Sequence, residues 1–126
     1  MRVIHTGTDV ISVDEHGIIH KRVLEGVHID VNAVKEAEKV CDELGNATKH
    51  IVLVDANAMH TMTPEAVEEL KKNLTDKRIA TAVYSNRTGI RILVDYLERE
   101  HKGTAPIRIF HDKAEALNWL ITFKQN

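Results

Sequence analysis

Apolar residues recur along the chain with two periods, and the switching between them sets out the elements. Short runs rich in Val, Ile and Leu stand at Val10-Ile11-Ser12-Val13, Ile18 through Leu24, Ile51-Val52-Leu53-Val54, Ile79 through Tyr84 and Pro106 through Phe110, and each reads as a strand. Between them, apolar residues three and four apart read as helices. One starts after Asp30 and carries Val34, Ala37, Cys41 and Leu44, with Gly45 where a helix end wants a left-handed residue. A second opens at Thr63-Pro64, an N-cap followed by a favoured first helical residue. The third follows Ser85-Asn86-Arg87 and runs to about His101, with Ile90, Leu93, Val94 and Leu97 as its apolar stripe and Gly103 beyond it. The last follows Asp112, boxed with Glu115, and carries Ala116, Leu117, Trp119, Leu120 and Ile121.

The order ββαβαβαβα predicts an α/β fold: a mostly parallel five-stranded sheet with an antiparallel N-terminal hairpin strand and four helices. The polar turn Asp14-Glu15-His16-Gly17 closes the hairpin and leaves Val10–Val13 at an edge. The run Ile51–Val54 shows no alternation, as expected of a central strand buried on both faces, and Asp55 marks where it reaches water. Ala80 and Ala82 share one face of their strand and would let a helix approach closely.

Composition narrows the picture. With 126 residues, 43% of them hydrophobic, the chain fits one domain spanning 1–126. Its formal charge of −2 provides no positive field for nucleic acid, and Lys71-Lys72 and Lys77-Arg78 are interleaved with Glu68, Glu69 and Asp76. Cys41 is the single cysteine, which excludes an internal disulfide and suits a reducing cytosol. No apolar run approaches the roughly 18 residues of a membrane span, and no signal-peptide pattern opens the chain, so a cytoplasmic protein without membrane insertion is expected.

The strand Ile51–Asp55, the polar loop Ala56–Met62 with the helix opening at Thr63, the strand Ile79–Tyr84, and the ending Arg108-Ile109-Phe110-His111-Asp112 before Ala116-Leu117-Asn118-Trp119-Leu120 carry a likeness. Together they resemble the STAS domain, the anti-sigma-factor-antagonist fold of the SpoIIAA-like superfamily, which is related to CRAL-TRIO-type lipid-binding domains. The ending is similar to that of small bacterial SpoIIAA-like proteins of unassigned role. The resemblance implies a regulatory module whose switch is a hydroxyl at the helix start, phosphorylated by a partner kinase. Here the matching positions read Thr63, Pro64, Glu65 and Ala66. Pro64 and Glu65 stand where the hydroxyl is needed, so that switch does not carry over, and Glu65 supplies a fixed negative charge instead.

Ligands of open α/β sheets sit beyond the carboxyl ends of the strands, which here gathers Asp55, Asn57, His60, Thr61, Thr63, Glu65, Ser85, Arg87 and His111 as candidate ligand- or partner-binding residues. A triad of Ser85, His60 and Asp55 lacks a G-x-S-x-G elbow, and capping turns and helices is the simpler role for Asp55, Ser85 and Asn86, as N-cap is for Thr63. The eight histidines show no metal-ligand spacing, and no glycine-rich phosphate loop is present, so no metal or other cofactor is expected. The resemblance, together with the lack of a catalytic constellation, therefore implies a non-enzymatic regulatory or interaction module acting through the Ala56–Glu68 face. The alternative is a small-molecule or lipid-binding domain, with Met59, Met62, Ile90 and Leu93 around a cavity and Arg87 or His60 holding a polar head. A hydrolase using His60 and Ser85 is the third reading. A homodimer is the base-rate assembly.

Overall fold

The computed structural model of the protein describes residues 2–45, 49–100 and 105–124. Six strands form one sheet in the order β1-β2-β3-β5-β7-β8: β1 (Val3–His5), β2 (Asp9–Val13), β3 (Ile19–Val23), β5 (His50–Asp55), β7 (Arg78–Tyr84) and β8 (Ile107–Phe110). The first three pair antiparallel and the rest parallel. Two further strands of two residues, β4 (His28–Ile29) and β6 (Thr61–Met62), form a separate parallel ladder. The helices are α1 (Val31–Leu44), α2 (Pro64–Asp76), α3 (Thr88–Glu100) and α4 (Lys113–Ile121), the last followed by a 3-10 turn, Thr122–Lys124.

The sheet thus has one strand more than the expected five, and β2 is not an edge. Val3–His5 covers it, with Ile4 opposite Ile11. A turn fixes this pairing: Thr6 N–H donates to the Asp9 carbonyl at 2.9 Å, and Asp9 N–H donates to Thr6 Oγ1 at 2.9 Å. The next turn is as expected. Gly17 takes φ +81°, and Asp14 Oδ1 accepts the N–H groups of His16 and Ile18 at 2.8 and 3.0 Å while Oδ2 lies 2.8 Å from His20 Nε2. Burial would raise the Asp14 carboxyl, but these hydrogen bonds outweigh it and hold it below its ordinary value.

Side-chain alternation divides the core between the two faces of the sheet. Val52 packs with Ile11, Ile19, Ala37 and Cys41 beneath α1, while Leu53 packs with Ile18, Ala80, Ala82, Ala116 and Leu120 beneath α4. Ala80, Ala82 and Ala116 have no exposed surface, so the small residues do admit a helix at close range. Ile121, one of the apolar residues read onto α4, is 41% exposed. Ala116 and Leu120, four apart, face the sheet, and the next residue is rotated away from it.

Three caps form as read: Asp30 accepts from Ala33 N–H, Thr63 from Ala66 N–H and Asp112 from Glu115 N–H. Gly45 differs, since its φ is −92° rather than left-handed. Its need is for space: a Cβ there would stand 2.4 Å from His50 Nδ1. Cys41 is 1% exposed, and burial pushes its thiol up. The expected end of α3 at His101, with Gly103, lies outside the described residues. Lys71 ties α2 to α3 by donating to the Tyr96 hydroxyl, with its ammonium 4.6 Å from that ring's centre.

Candidate functional site

The loops after β5 and β7 meet at the carboxyl ends of the strands, and their polar side chains hold one another. Ser85 is fully buried; its hydroxyl donates to the Ala56 carbonyl at 2.9 Å and accepts Arg87 N–H at 3.1 Å. Asp55 Oδ1 accepts both the backbone N–H and the side-chain amide of Asn57 at 3.1 Å, and Asn57 Oδ1 accepts Asn86 N–H at 3.0 Å. Arg87 Nη1 donates to the Ala58 carbonyl at 3.0 Å, which also lies 2.8 Å from His60 Nδ1. One ring nitrogen cannot both donate to Ala58 and accept from Arg87. With the proton on Nδ1, the 3.3 Å approach of Arg87 to His60 is a contact only.

The structure therefore brings Asp55, Asn57, Ser85, Arg87 and His60 together as a hydrogen-bonded brace. The other candidates lie apart from it. Thr61 Oγ1 is 2.6 Å from His28 Nδ1 beside the β4–β6 ladder, Thr63 caps α2, Glu65 is exposed in the first turn of α2, and His111 is exposed after β8.

Behind this brace, between the sheet and helices α1, α2 and α3, lies a cavity of 90 Å³. Most of its wall is apolar, including Val23, Val54, Met62, Leu74, Val83, Ile90, Leu93 and Leu97, and His60 reaches it from the loop. Arg87 does not line it, and Met59 is 60% exposed. Besides His60, the polar residues in the wall are Asp9, Lys21, Asn73, Arg78 and Thr81; Arg78, expected with Lys77 among solvated charges interleaved with acidic residues, is instead 6% exposed, because Glu38 pairs with it inside the fold. For Asp9, Lys21 and Thr81 the signal is phase. Asp9 alternates with Ile11, Lys21 lies between Ile19 and Val23, and Thr81 alternates with Val83, so each points to the face opposite α4. Asp9 Oδ1, Arg78 Nε and Thr81 Oγ1 have no hydrogen-bond partner among the described residues. Buried polar atoms of this kind are few in native folds, and each wants an explanation.

Below the cavity, Arg78 makes a two-pronged pair with Glu38 of α1: Nη1 donates to Oε2 at 2.8 Å and Nη2 to Oε1 at 2.9 Å. Glu38, Asp42 and His50 bring three potential metal-ligand atoms within 4.8 Å of one another. That cluster is already balanced. Arg78 takes both Glu38 oxygens, Lys77 Nζ lies 3.6 Å from Asp42 Oδ2, and His50 Nε2 lies 2.9 Å from Asp42 Oδ1. A dication would have to displace a guanidinium bound at both ends, so the donors fit an ion-pair network better than a metal.

On the opposite face, the carboxyl ends of β3, β5 and β7 place Arg22, Asp55 and Tyr84 in one row, in a groove of 220 Å³ that also meets His20 and Lys113. Burial, then the charge and hydrogen bonding of Asp55, push the Tyr84 phenol up to about 12, with Arg22 pulling the other way. Because the folded value exceeds the ordinary 10.0, this group's stabilising contribution is complete below pH 10 and is lost as pH rises through about 12. In a Tyr96→Phe variant, where Tyr84 is the only tyrosine, phenolate absorbance will titrate with a midpoint near 12; a midpoint near 10 would show that the phenol is neither buried nor beside Asp55.

Comparison with solved structures returns an uncharacterised protein of the DUF3478 family from Shewanella loihica PV-4, described as having a SpoIIAA-like fold. It superposes with a TM-score of 0.61 over 94% of this chain and 90% of that one, at 15% sequence identity. That likeness establishes a SpoIIAA-like fold. No curated protein matches the chain. The sequence model of one family, described as a domain of unknown function, DUF7793, matches residues 11–124. The chain therefore belongs to the DUF7793 family.

Proposed function

We propose that the protein is a non-enzymatic small-ligand-binding domain, with its site in the cavity between the sheet and helices α1, α2 and α3. The observation that supports this reading is the pairing, in one cavity, of an apolar wall with residues whose buried polar atoms lack partners. An apolar cavity of about 150 Å³ takes up benzene. At 90 Å³ the cavity suits a molecule of about that size or smaller, a short amphiphile rather than a long acyl chain. The Ser85 hydroxyl is committed to Ala56 and Arg87, which favours a structural role for it over a nucleophilic one.

The test is a panel of small amphiphiles read by amide NMR shifts and by thermal denaturation. Binders should move the amides of Val54, Thr81, Val83 and Leu93, and should stabilise the fold by about 2.7 kcal/mol at a hundredfold excess over Kd. Shifts confined to the surface, with no stabilisation, would overturn the reading. A second reading, a protein-interaction module acting through the Ala56–Glu68 face, has in its favour the 65% exposure of Ile92 beside a groove lined by Pro64, Val67, Leu93 and Tyr96. The same spectra judge it, since line widths that grow with protein concentration report self-association.

A further inference from the structure

We propose that the cavity selects an uncharged, hydrogen-bonding amphiphile, and that Thr81 recognises its head group; this rests on the ligand-binding reading above. Charge decides the class of ligand. Apart from His60, whose Nδ1 is engaged by the Ala58 carbonyl, the ionisable residues lining the cavity are Asp9, Lys21 and Arg78, the last already neutralised by Glu38. Two positive and two negative groups thus balance around the space. A ligand bringing a carboxylate or an ammonium would leave one charge unmatched in a poorly solvated interior, and such a charge is expelled unless it is paired. A fatty acid or a simple amine is therefore disfavoured, and a hydroxyl, amide or carbonyl head is compatible.

Hydrogen bonding then decides where the head sits. Asp9 Oδ1 can only accept and Arg78 Nε can only donate, while Thr81 Oγ1 can do both. Thr81 is 3% exposed, and Arg78 lies on the same strand. A hydroxyl head both donates and accepts, so it satisfies Thr81 in either sense. The tail then has Val54, Val83, Leu74 and Leu97 to pack against.

Four probes with nearly the same chain separate these claims: 1-butanol, butyrate, n-butylammonium and n-pentane, each titrated into the wild type and into Thr81→Val while cavity amides are followed by NMR. Threonine and valine are close in shape, so the variant removes the hydroxyl and little else. Butanol should bind the wild type about tenfold or more tighter than either ion, and Thr81→Val should weaken butanol about threefold to tenfold while leaving pentane within about twofold. Unchanged pentane binding also certifies the variant's fold. Butyrate or butylammonium binding as tightly as butanol would overturn the neutral-ligand inference while leaving a binding cavity. Equal losses for butanol and pentane in Thr81→Val would remove Thr81 from the head-group role. If no probe moves the cavity amides, the ligand-binding reading itself fails.

Discussion

Replacing Arg78 with methionine will lower the free energy of unfolding by about 3–5 kcal/mol. The guanidinium side chain is 5% exposed and the Glu38 side chain 9%, and their two hydrogen bonds measure 2.8 and 2.9 Å. Removing the cation leaves a carboxylate beneath α1 with its solvation lost and no partner, and that uncompensated charge supplies the large cost. The pair itself is worth far less than the penalty for breaking it. A double variant, Glu38→Met with Arg78→Met, should therefore recover most of the loss, because both charges leave together. Urea denaturation of the two singles and the double forms the cycle. A single-variant loss below about 1 kcal/mol would mean the pair behaves like a solvated surface bridge, and a double variant worse than either single would mean the pair stabilises outright.

Leu53→Ala will cost about 3–5 kcal/mol, in the upper part of the range for such truncations. Leu53 is 2% exposed on the central strand. The cost of a truncated leucine depends on how far its neighbours can collapse into the space, and three of them here are alanines 80, 82 and 116. Alanine has no rotamers to spend, so the hole persists. Leu70→Ala, at a half-buried position of α2 facing the existing cavity, should cost clearly less. Equal losses at the two sites would show that the core beneath α4 relaxes as readily as the one beneath α2.

What could be read in the sequence was local. The caps at Asp30, Thr63 and Asp112 each bond an N–H three residues on, and the Asp14–Gly17 turn closes over a few residues, so their partners fall within one glance along the chain. Val3–His5 was missed because three residues carry too little period to stand out, and its strand character depends on the Thr6–Asp9 turn and on Ile11 opposite. Gly45 was expected to serve by its backbone freedom. It serves His50 instead, a neighbour brought in by the start of β5. The brace of Asp55, Asn57, Ser85 and Arg87 was legible as a neighbourhood, because strand ends converge, but its bonds run between loops 29 residues apart. The pairing of Glu38 with Arg78, 40 residues apart, had only a phase signal: a glutamate in step with Val34 and Cys41 on the buried stripe of α1.

The seam at β3, antiparallel to β2 and parallel to β5, also divides the order in which the molecule can assemble. The β2–β3 ladder closes across a turn of a few residues, at the speed of a hairpin. The β3–β5 ladder must wait until the chain has run through α1 and returned, so the entropy of closing that long loop falls on one step. The parallel half is therefore the late and cooperative part of folding, while β1, a three-residue edge strand hydrogen-bonded to β2, is where the native sheet first frays.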